Sequence, residues 1–172
     1  SDFPIASESY FDWPSRYHLC PERANLLRPF QFSGLDVLEL GAGMGGISRF
    51  LAENAKSLTV VEGTRTRFSA LERRLSDLKN WKGTVANIQD FKTEERFDVA
   101  CLIGVLEYSE LFIKTEEGRT SFEVLLRKAQ SFLRPGGVLI VAIENRLGVK
   151  YWSGASEDHT GNLFDGICGY SP

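Results

Sequence analysis

Cysteine and histidine are scarce in this sequence, with three cysteines and two histidines among 172 residues. Cys20, Cys101 and Cys168 are odd in number, widely spaced and form no C-x-x-C pair, which argues against a disulfide framework and a zinc-binding cysteine motif. His18 and His159 stand far apart, so we expect no metal site. Sparse, unpaired cysteines favour a reducing, cytoplasmic setting.

Long apolar runs and an excess of charge of one sign are also absent. No run approaches the roughly 18 apolar residues that a membrane-spanning helix needs, and the first residues, SDFPIASESYF, lack the basic-then-apolar pattern of a secretory signal. The net charge of −3 gives no general reason to expect a nucleic-acid partner. We therefore expect neither a membrane span nor a nucleic-acid site.

The sequence does contain an alternation of apolar and amphipathic segments. Apolar runs predict strands over 36–40, 57–63, 83–89, 97–105 and 137–145. Helical spacing predicts helices over 46–55, 64–78 and 120–133. Only DFKTEER separates the third and fourth strands, which is too short for a full helix. Apolar strands alternating with helices indicate an α/β fold with a doubly wound, mostly parallel sheet and helices on both faces.

This alternation divides the chain into three segments. Residues 1–34 are a lead-in segment, with a short helix expected around 21–28. Residues 35–145 are the domain that contains the alternating strands and helices. Residues 146–172 form a tail rich in glycine and aromatic residues.

The stretch VLELGAGMGG, from Val37 to Gly46, fits two cofactor-binding patterns. It reads as the G-x-G-x-x-G turn of a dinucleotide site, or as an acidic-x-G-x-G-x-G turn that begins at Glu39. Either turn lets the backbone approach an anion at the start of a helix, and Glu62 suits ribose hydroxyls in both. The Glu39 carboxylate would repel a pyrophosphate and attract a methionyl ammonium group. The alternative is that Glu39 accepts backbone N–H bonds within its own loop.

Four stretches together resemble class I S-adenosylmethionine-dependent methyltransferases: VLELGAGMGGISRFLAE, LTVVEGT, FDVACLIGVLEYS and FLRPGGVLIVAIEN. The resemblance covers about 35–145 and implies a Rossmann-like sheet with S-adenosylmethionine bound at the carboxyl ends of its first strands. In that family two further strands usually follow the fifth. The tail does not read as such a pair. Either it replaces those strands or, as we expect, the chain is a fragment of a longer protein with further domains.

The resemblance implies eleven positions around the cofactor: Glu39, Gly41, Gly43, Gly45, Glu62, Gly63, Thr64, Asn87, Ile88, Ile103 and Gly104. The first four would surround the methionyl part, and Glu62 and the two residues after it would lie at the ribose and adenosine. Asn87 stands where the family often has an Asp that accepts from adenine N6, and Ile88 would pack on adenine. A second alignment moves the adenine contact to Gln89 or Asp90. The last two positions would line the path to the acceptor.

The tail is expected to cover the acceptor site, and it is similar to methyltransferase domains of bacterial glycan-assembly proteins. That similarity implies a glycan as one acceptor class. We expect a small-molecule or glycan acceptor methylated at oxygen, with nitrogen and carbon as the open alternatives. A hydroxyl acceptor needs a base, and His159, oriented by Asp158 or Glu157, has that chemistry. Alternatively, His159 satisfies backbone groups. Glu107 and Tyr108 are either site residues or local packing. A non-catalytic cofactor-binding or scaffold module and an NAD-dependent oxidoreductase are the rival functions.

Overall fold

The computed structural model describes residues 20–115, 118–143, 145, 147–157 and 161–168. These residues fall into two compact units, one that ends at Val141 and one that begins at Ala142. In these ranges, no helix has the length and apolar character that crossing a membrane requires.

The first unit is built on a five-stranded sheet. Its strands are β1 (Asp36–Leu40), β2 (Ser57–Glu62), β3 (Trp81–Val85), β4 (Phe97–Ile103) and β5 (Leu133–Ala142), the last of which runs into the second unit. The spatial order is β3-β2-β1-β4-β5. β1 pairs in parallel with both β2 and β4, and β2 pairs in parallel with β3. This is the α/β Rossmann-like architecture that the sequence predicts. Its topological switch point lies between β1 and β4, where such sheets bind ligands at the carboxyl ends of the strands.

Helices connect and follow these strands. They are α1 (Ser48–Asn54), α2 (Arg65–Arg74), α3 (Ser109–Phe112), α4 (Ser121–Ser131), α5 (Val149–Trp152) and α6 (Asp165–Cys168). Pro21–Leu26 and Leu106–Tyr108 are 3₁₀ helices, so the short helix expected around 21–28 is present as a 3₁₀ helix.

The apolar side of the sheet packs on α4. Leu38 of β1 and Leu102 of β4 are fully buried in one cluster with Leu125 and Ala129 of α4. A capping box fixes where α4 begins: the Thr120 hydroxyl accepts from the Glu123 N–H at 3.3 Å, and Glu123 Oε2 accepts from the Thr120 N–H at 3.1 Å. The capping box therefore determines where α4 begins, and burial determines which of its faces packs on the sheet.

The predicted third and fifth strands have other bounds in the structure. The predicted third strand extended to residue 89, but β3 ends at Val85 because Asn87 starts a turn. Its carbonyl accepts from the N–H groups of Asp90 and Phe91, at 3.0 Å each, and its side-chain oxygen accepts from the Gln89 N–H at 2.9 Å. The fifth strand was predicted over 137–145, whereas β5 covers Leu133–Ala142.

Charged side chains join the amino ends of four strands. Asp36 accepts from the Arg134 guanidinium at 2.8 Å and from the Ser57 hydroxyl at 2.7 Å. Asp98 accepts from the same guanidinium at 2.6 Å and from the Asp36 N–H at 2.8 Å. The bond from Arg134 is the main reason that the pKa of Asp36 is lowered to about 2, with Ser57 and Lys56 adding to it. This network ties β1, β2, β4 and β5 together at the end of the sheet opposite the glycine loop.

We expect Asp36→Asn to lower the free energy of unfolding by about 1 kcal/mol at pH 7, a figure reduced for solvent screening. Because the folded pKa of Asp36 lies below its usual value of 3.8, its stabilisation is present above about pH 4 and is lost as the pH falls toward 2. Urea unfolding at pH 7, 4 and 2.5 measures this. Asp90→Asn, at an exposed carboxylate, is the matched control. Equal losses in both variants, or a loss independent of pH, would contradict the role of the network.

Candidate functional site

The glycine loop that follows β1 lies across the carboxyl end of β2. The N–H groups of Gly41 and Ala42 donate to the Val61 carbonyl at 2.8 and 3.1 Å. Gly41 has φ +81°, and a Cβ placed there would lie 2.5 Å from Val105 Cγ2. Gly43 has φ +57°, and a Cβ there would meet no atom within 4 Å. The loop is therefore packed on the protein at Gly41 and faces open space at Gly43, where a ligand has room to approach.

Glu62, the last residue of β2, holds this loop in place. Its side chain is buried, with Oε2 accepting from the Gly43 N–H at 2.8 Å and Oε1 accepting from the Thr64 N–H at 2.9 Å. A carboxylate has about four acceptor positions. These two bonds therefore leave Glu62 able to accept further hydrogen bonds, as its predicted role toward ribose hydroxyls requires. Thr64 occupies the N-cap position of α2, but its side chain makes no capping hydrogen bond.

Glu39 lies beneath the loop and is 3% exposed. Its Oε2 accepts from the Ser48 hydroxyl at 2.6 Å. The alternative interpretation, in which Glu39 caps its own loop, is therefore wrong: its hydrogen-bond donor in the described chain is a side chain, and it is Glu62 that accepts from the loop backbone.

Burial raises the pKa of Glu39 to about 7. The Ser48 hydrogen bond and the charge of Arg23 act against that rise, and the charge of Glu62 adds to it. On β4, Cys101 stands opposite Glu39 in the strand register, and burial, with the Glu39 charge, raises the pKa of its thiol well above the usual range. The thiol therefore stays neutral. Two buried carboxylates below one loop favour a cationic ligand group over an anionic one.

Sequence reasoning missed Ser48 and Arg23. Ser48 begins α1, nine positions after Glu39, and a serine at that place in a helix is typical of helix starts. Arg23 lies in the first 3₁₀ helix, in a segment whose sequence shows no cofactor motif. Only in the folded chain do the charge of Arg23 and the hydroxyl of Ser48 both act on the Glu39 carboxylate.

The predicted adenine-side residues lie in the turn after β3, beside the end of β2. The Ala86 N–H donates to the Glu62 carbonyl at 3.1 Å, which brings this turn next to Gly63. Ile88 is buried in the core cluster, and within the described chain no hydrogen bond engages its backbone N–H.

Side-chain amides in this turn hold the segment that follows α3. Asn87 Nδ2 donates to the Phe112 carbonyl at 2.9 Å. The Gln89 amide exchanges two bonds with the Lys114 backbone, at 2.8 and 3.0 Å. Asp90, the other candidate from the second alignment, is exposed. Asn87 Oδ1 already accepts from Gln89, so one of its two acceptor positions remains for the predicted adenine contact.

The segment that follows β4 packs against the glycine loop. Ile103 is 9% exposed and Gly104 has φ +66°, so the chain turns sharply before Val105 packs against Gly41. Tyr108, in the 3₁₀ helix that follows, is 40% exposed, whereas Glu107 is half-buried. An exposed tyrosine at this end of the sheet is compatible with the site role of Tyr108.

The predicted catalytic pair Asp158 and His159 lies outside the described residues. Glu157, directly before it, is buried within the second unit. Its N–H donates to the Asn162 carbonyl at 2.9 Å and its carbonyl accepts from the Gly161 N–H at 2.8 Å. These bonds join the backbone of Glu157 to that of Gly161 and Asn162.

We expect Gly41→Ala to destabilise the protein more than Gly43→Ala. Both positions have positive φ, which costs about 1 kcal/mol for alanine. At Gly41 the contact with Val105 adds roughly 1–3 kcal/mol of overpacking. Thermal or urea unfolding of the two variants compares them directly, and equal losses would contradict the close packing at Gly41.

We expect Glu39→Gln to raise the free energy of unfolding at pH 8 by about 1–3 kcal/mol, because it removes a buried charge. The folded pKa of about 7 exceeds the usual 4.5, so the folded state binds more protons than the unfolded state between these values and the wild type loses stability as the pH rises through them. At pH 5 the two proteins should differ little. Glu110→Gln, at an exposed site, is the control for urea unfolding. A destabilised Glu39→Gln at pH 8 would overturn this account.

Comparison with known proteins identifies a family. The family described as "Methyltransferase domain" matches residues 38–139, more than half of the chain. (S)-coclaurine N-methyltransferase from Papaver somniferum is 29% identical over 112 residues, which cover 63% of this chain and 29% of that protein. Nodulation protein S from Rhizobium tropici is 27% identical over 117 residues, which cover 68% of this chain and 46% of that protein. The chain thus spans less than half the length of either relative.

Solved structures share the fold. N-methyltransferase NodS from Bradyrhizobium japonicum WM9, in complex with S-adenosyl-l-homocysteine, has a TM-score of 0.57 and 22% identity, and the match covers 80% of this chain and 67% of that one. Phosphoethanolamine N-methyltransferase 1 from Haemonchus contortus, in complex with phosphoethanolamine and S-adenosylhomocysteine, has a TM-score of 0.63 and 17% identity, covering 84% of this chain and 28% of that one. The matched residues contain the glycine loop, Glu62 and the turn after β3, and the chain belongs to the methyltransferase domain family.

Proposed function

We propose that this domain binds S-adenosylmethionine and transfers its methyl group to a small-molecule or glycan acceptor. The observation that carries the proposal is the pair of buried carboxylates, Glu39 and Glu62, beneath a glycine loop that is open at Gly43. Solved neighbours in complex with S-adenosylhomocysteine support the choice of cofactor.

The residues present fit this cofactor part by part. Glu39 would attract the methionyl ammonium group, and the open backbone at Gly43 would let the methionyl part approach. Glu62 keeps acceptor capacity for ribose hydroxyls. The N–H of Ile88 and the remaining acceptor position of Asn87 suit the edge of adenine. A dinucleotide would instead bring a pyrophosphate toward the buried Glu39 carboxylate, which argues against an NAD-dependent oxidoreductase.

The bound sulfonium would supply an activated methyl group for in-line displacement by the acceptor. The chain's own task is then to hold, orient and desolvate the reacting groups. Glu39 and Glu62 are fixed on β1 and β2, two adjacent parallel strands, so the two ends of the donor would be held by one rigid part of the sheet. Ile103 and Gly104, at the end of β4, would line the path to the acceptor.

We propose a hydroxyl group as the methyl acceptor. A hydroxyl acceptor must lose a proton, and we propose His159, oriented by Asp158, as its general base. The relatives named above are N-methyltransferases, which favours an amine as the second candidate acceptor. Because the relatives are longer, we propose that further domains of a longer chain complete the acceptor pocket, and that the protein is cytoplasmic.

Calorimetric titration with S-adenosylhomocysteine, and separately with NAD, tests the cofactor. We expect micromolar binding of the first and no binding of the second. Glu62→Gln should weaken binding by about 10-fold or more, because it removes a charged acceptor from the ribose. Glu94→Gln, at an exposed carboxylate, is the matched control. Undiminished binding by Glu62→Gln would overturn the assignment of Glu62 to the ribose, and NAD binding would overturn the cofactor.

Transfer itself is tested with S-adenosylmethionine that carries an isotope-labelled methyl group. Panels of hydroxyl-bearing glycans and of amines are compared by mass spectrometry, with His159→Ala beside the wild type. Labelled ethers lost in His159→Ala would support O-methylation with His159 as base. Labelled amines unaffected by that substitution would replace it with N-methylation. Tight binding without any product, in a longer chain as well, would favour a non-catalytic cofactor-binding or scaffold module.

A further inference from the structure

The hydroxyl of Ser48 donates a hydrogen bond to the Glu39 carboxylate. Ser48 is fully buried, and its Oγ lies 2.6 Å from Glu39 Oε2. Neither residue is solvent-exposed, so water does not replace this bond at low cost. Throughout the described chain, Ser48 is the hydrogen-bond donor to this carboxylate.

The geometry also shows what the hydroxyl does not do. The N-cap of α1 is Ile47, and no side chain caps that end of the helix. Alanine is a better helix former than serine, so α1 itself does not require a hydroxyl at this position. The Ser48–Glu39 bond therefore acts on the carboxylate and not on the helix.

One oxygen of the carboxylate is held, and this determines what the other can do. With Oε2 accepting from Ser48, that oxygen is held in place, and Oε1 keeps acceptor capacity that a ligand cation could use. The hydroxyl also donates to the charged form and so favours it, as does the charge of Arg23, against burial and the charge of Glu62. Without the hydroxyl, the carboxylate is free to rotate and is harder to ionise.

We propose that Ser48 is a positioning residue for the methionyl end of the methyl donor, acting through Glu39. The inference rests on the proposed function and deepens it, because it assigns the ammonium-binding half of the site to a β1–α1 side-chain pair. It implies that Ser48 affects ligands that carry the amino-acid part and leaves ligands that lack it unchanged.

The test compares two ligands that share the adenosine and the sulfur. S-adenosylhomocysteine carries the amino acid, and 5′-methylthioadenosine does not. Ser48→Ala should weaken S-adenosylhomocysteine by about fivefold or more, as expected for a lost hydrogen bond to a charged group, and leave 5′-methylthioadenosine within about twofold. Ser48→Thr, which keeps the hydroxyl, should restore the affinity. Calorimetry measures all four combinations.

A double-mutant cycle separates positioning from a general effect on the loop. In a Glu39→Gln background, Ser48→Ala should change the affinity for S-adenosylhomocysteine by less than about twofold, because the group it positions is gone. Ser48→Cys, whose thiol is a weak donor, gives the same comparison if Ser48→Ala does not fold.

Each outcome decides the matter. Equal weakening of both ligands would mean that Ser48 only supports the loop, and unchanged binding of both would remove its role altogether; either result overturns the inference and leaves the proposed cofactor intact. Failure of the wild type to bind either ligand would overturn the proposed function and this inference with it.

Discussion

The hydrogen bond from the Gly43 N–H to the Glu62 carboxylate is the contact on which the candidate site depends. It joins the glycine loop after β1 to the end of β2, and the second oxygen of the same carboxylate ties down the start of α2 through Thr64. Because β1 and β2 are adjacent and parallel, both segments emerge at the same edge of the sheet. One buried side chain thus orders two backbone segments, and the open face at Gly43 is a consequence of that order.

The carboxylates at the two ends of the sheet differ in their pairing with cationic side chains. At the amino ends, Asp36 and Asp98 are matched by Arg134, and the lowered pKa of Asp36 means that its charge stabilises the fold. At the carboxyl ends, Glu39 and Glu62 are buried together, and the pKa of Glu39 is raised to about 7. Burial of the Glu39 carboxylate disfavours its charged form in the empty fold, and a cationic ligand would offset that penalty. Such local cost is typical of binding sites, whose residues serve the ligand before they serve stability.

Sequence patterns predicted much of this molecule because they are local. Apolar runs and helical spacing located five strands and the helices between them, and four motifs identified the family. Predicted strand boundaries were wrong where a side chain competes with the hydrogen bonds between strands. At Asn87 the side-chain oxygen accepts from the Gln89 N–H, and β3 ends before this turn. The glycines and Glu62 could be predicted as site residues because their spacing from β1 and β2 carries the signal.

The sequence by itself determined the order of the strands along the chain, the positions that demand glycine and the carboxylates available to a ligand. Tertiary structure alone decided the partners of those groups: Ser48 for Glu39, the Gly43 backbone for Glu62, and the segment after α3 for Asn87 and Gln89. The physical reason is range. Backbone conformation and burial produce sequence patterns that can be recognised within a few residues. A hydrogen bond between side chains on different elements depends instead on where the sheet brings those elements together.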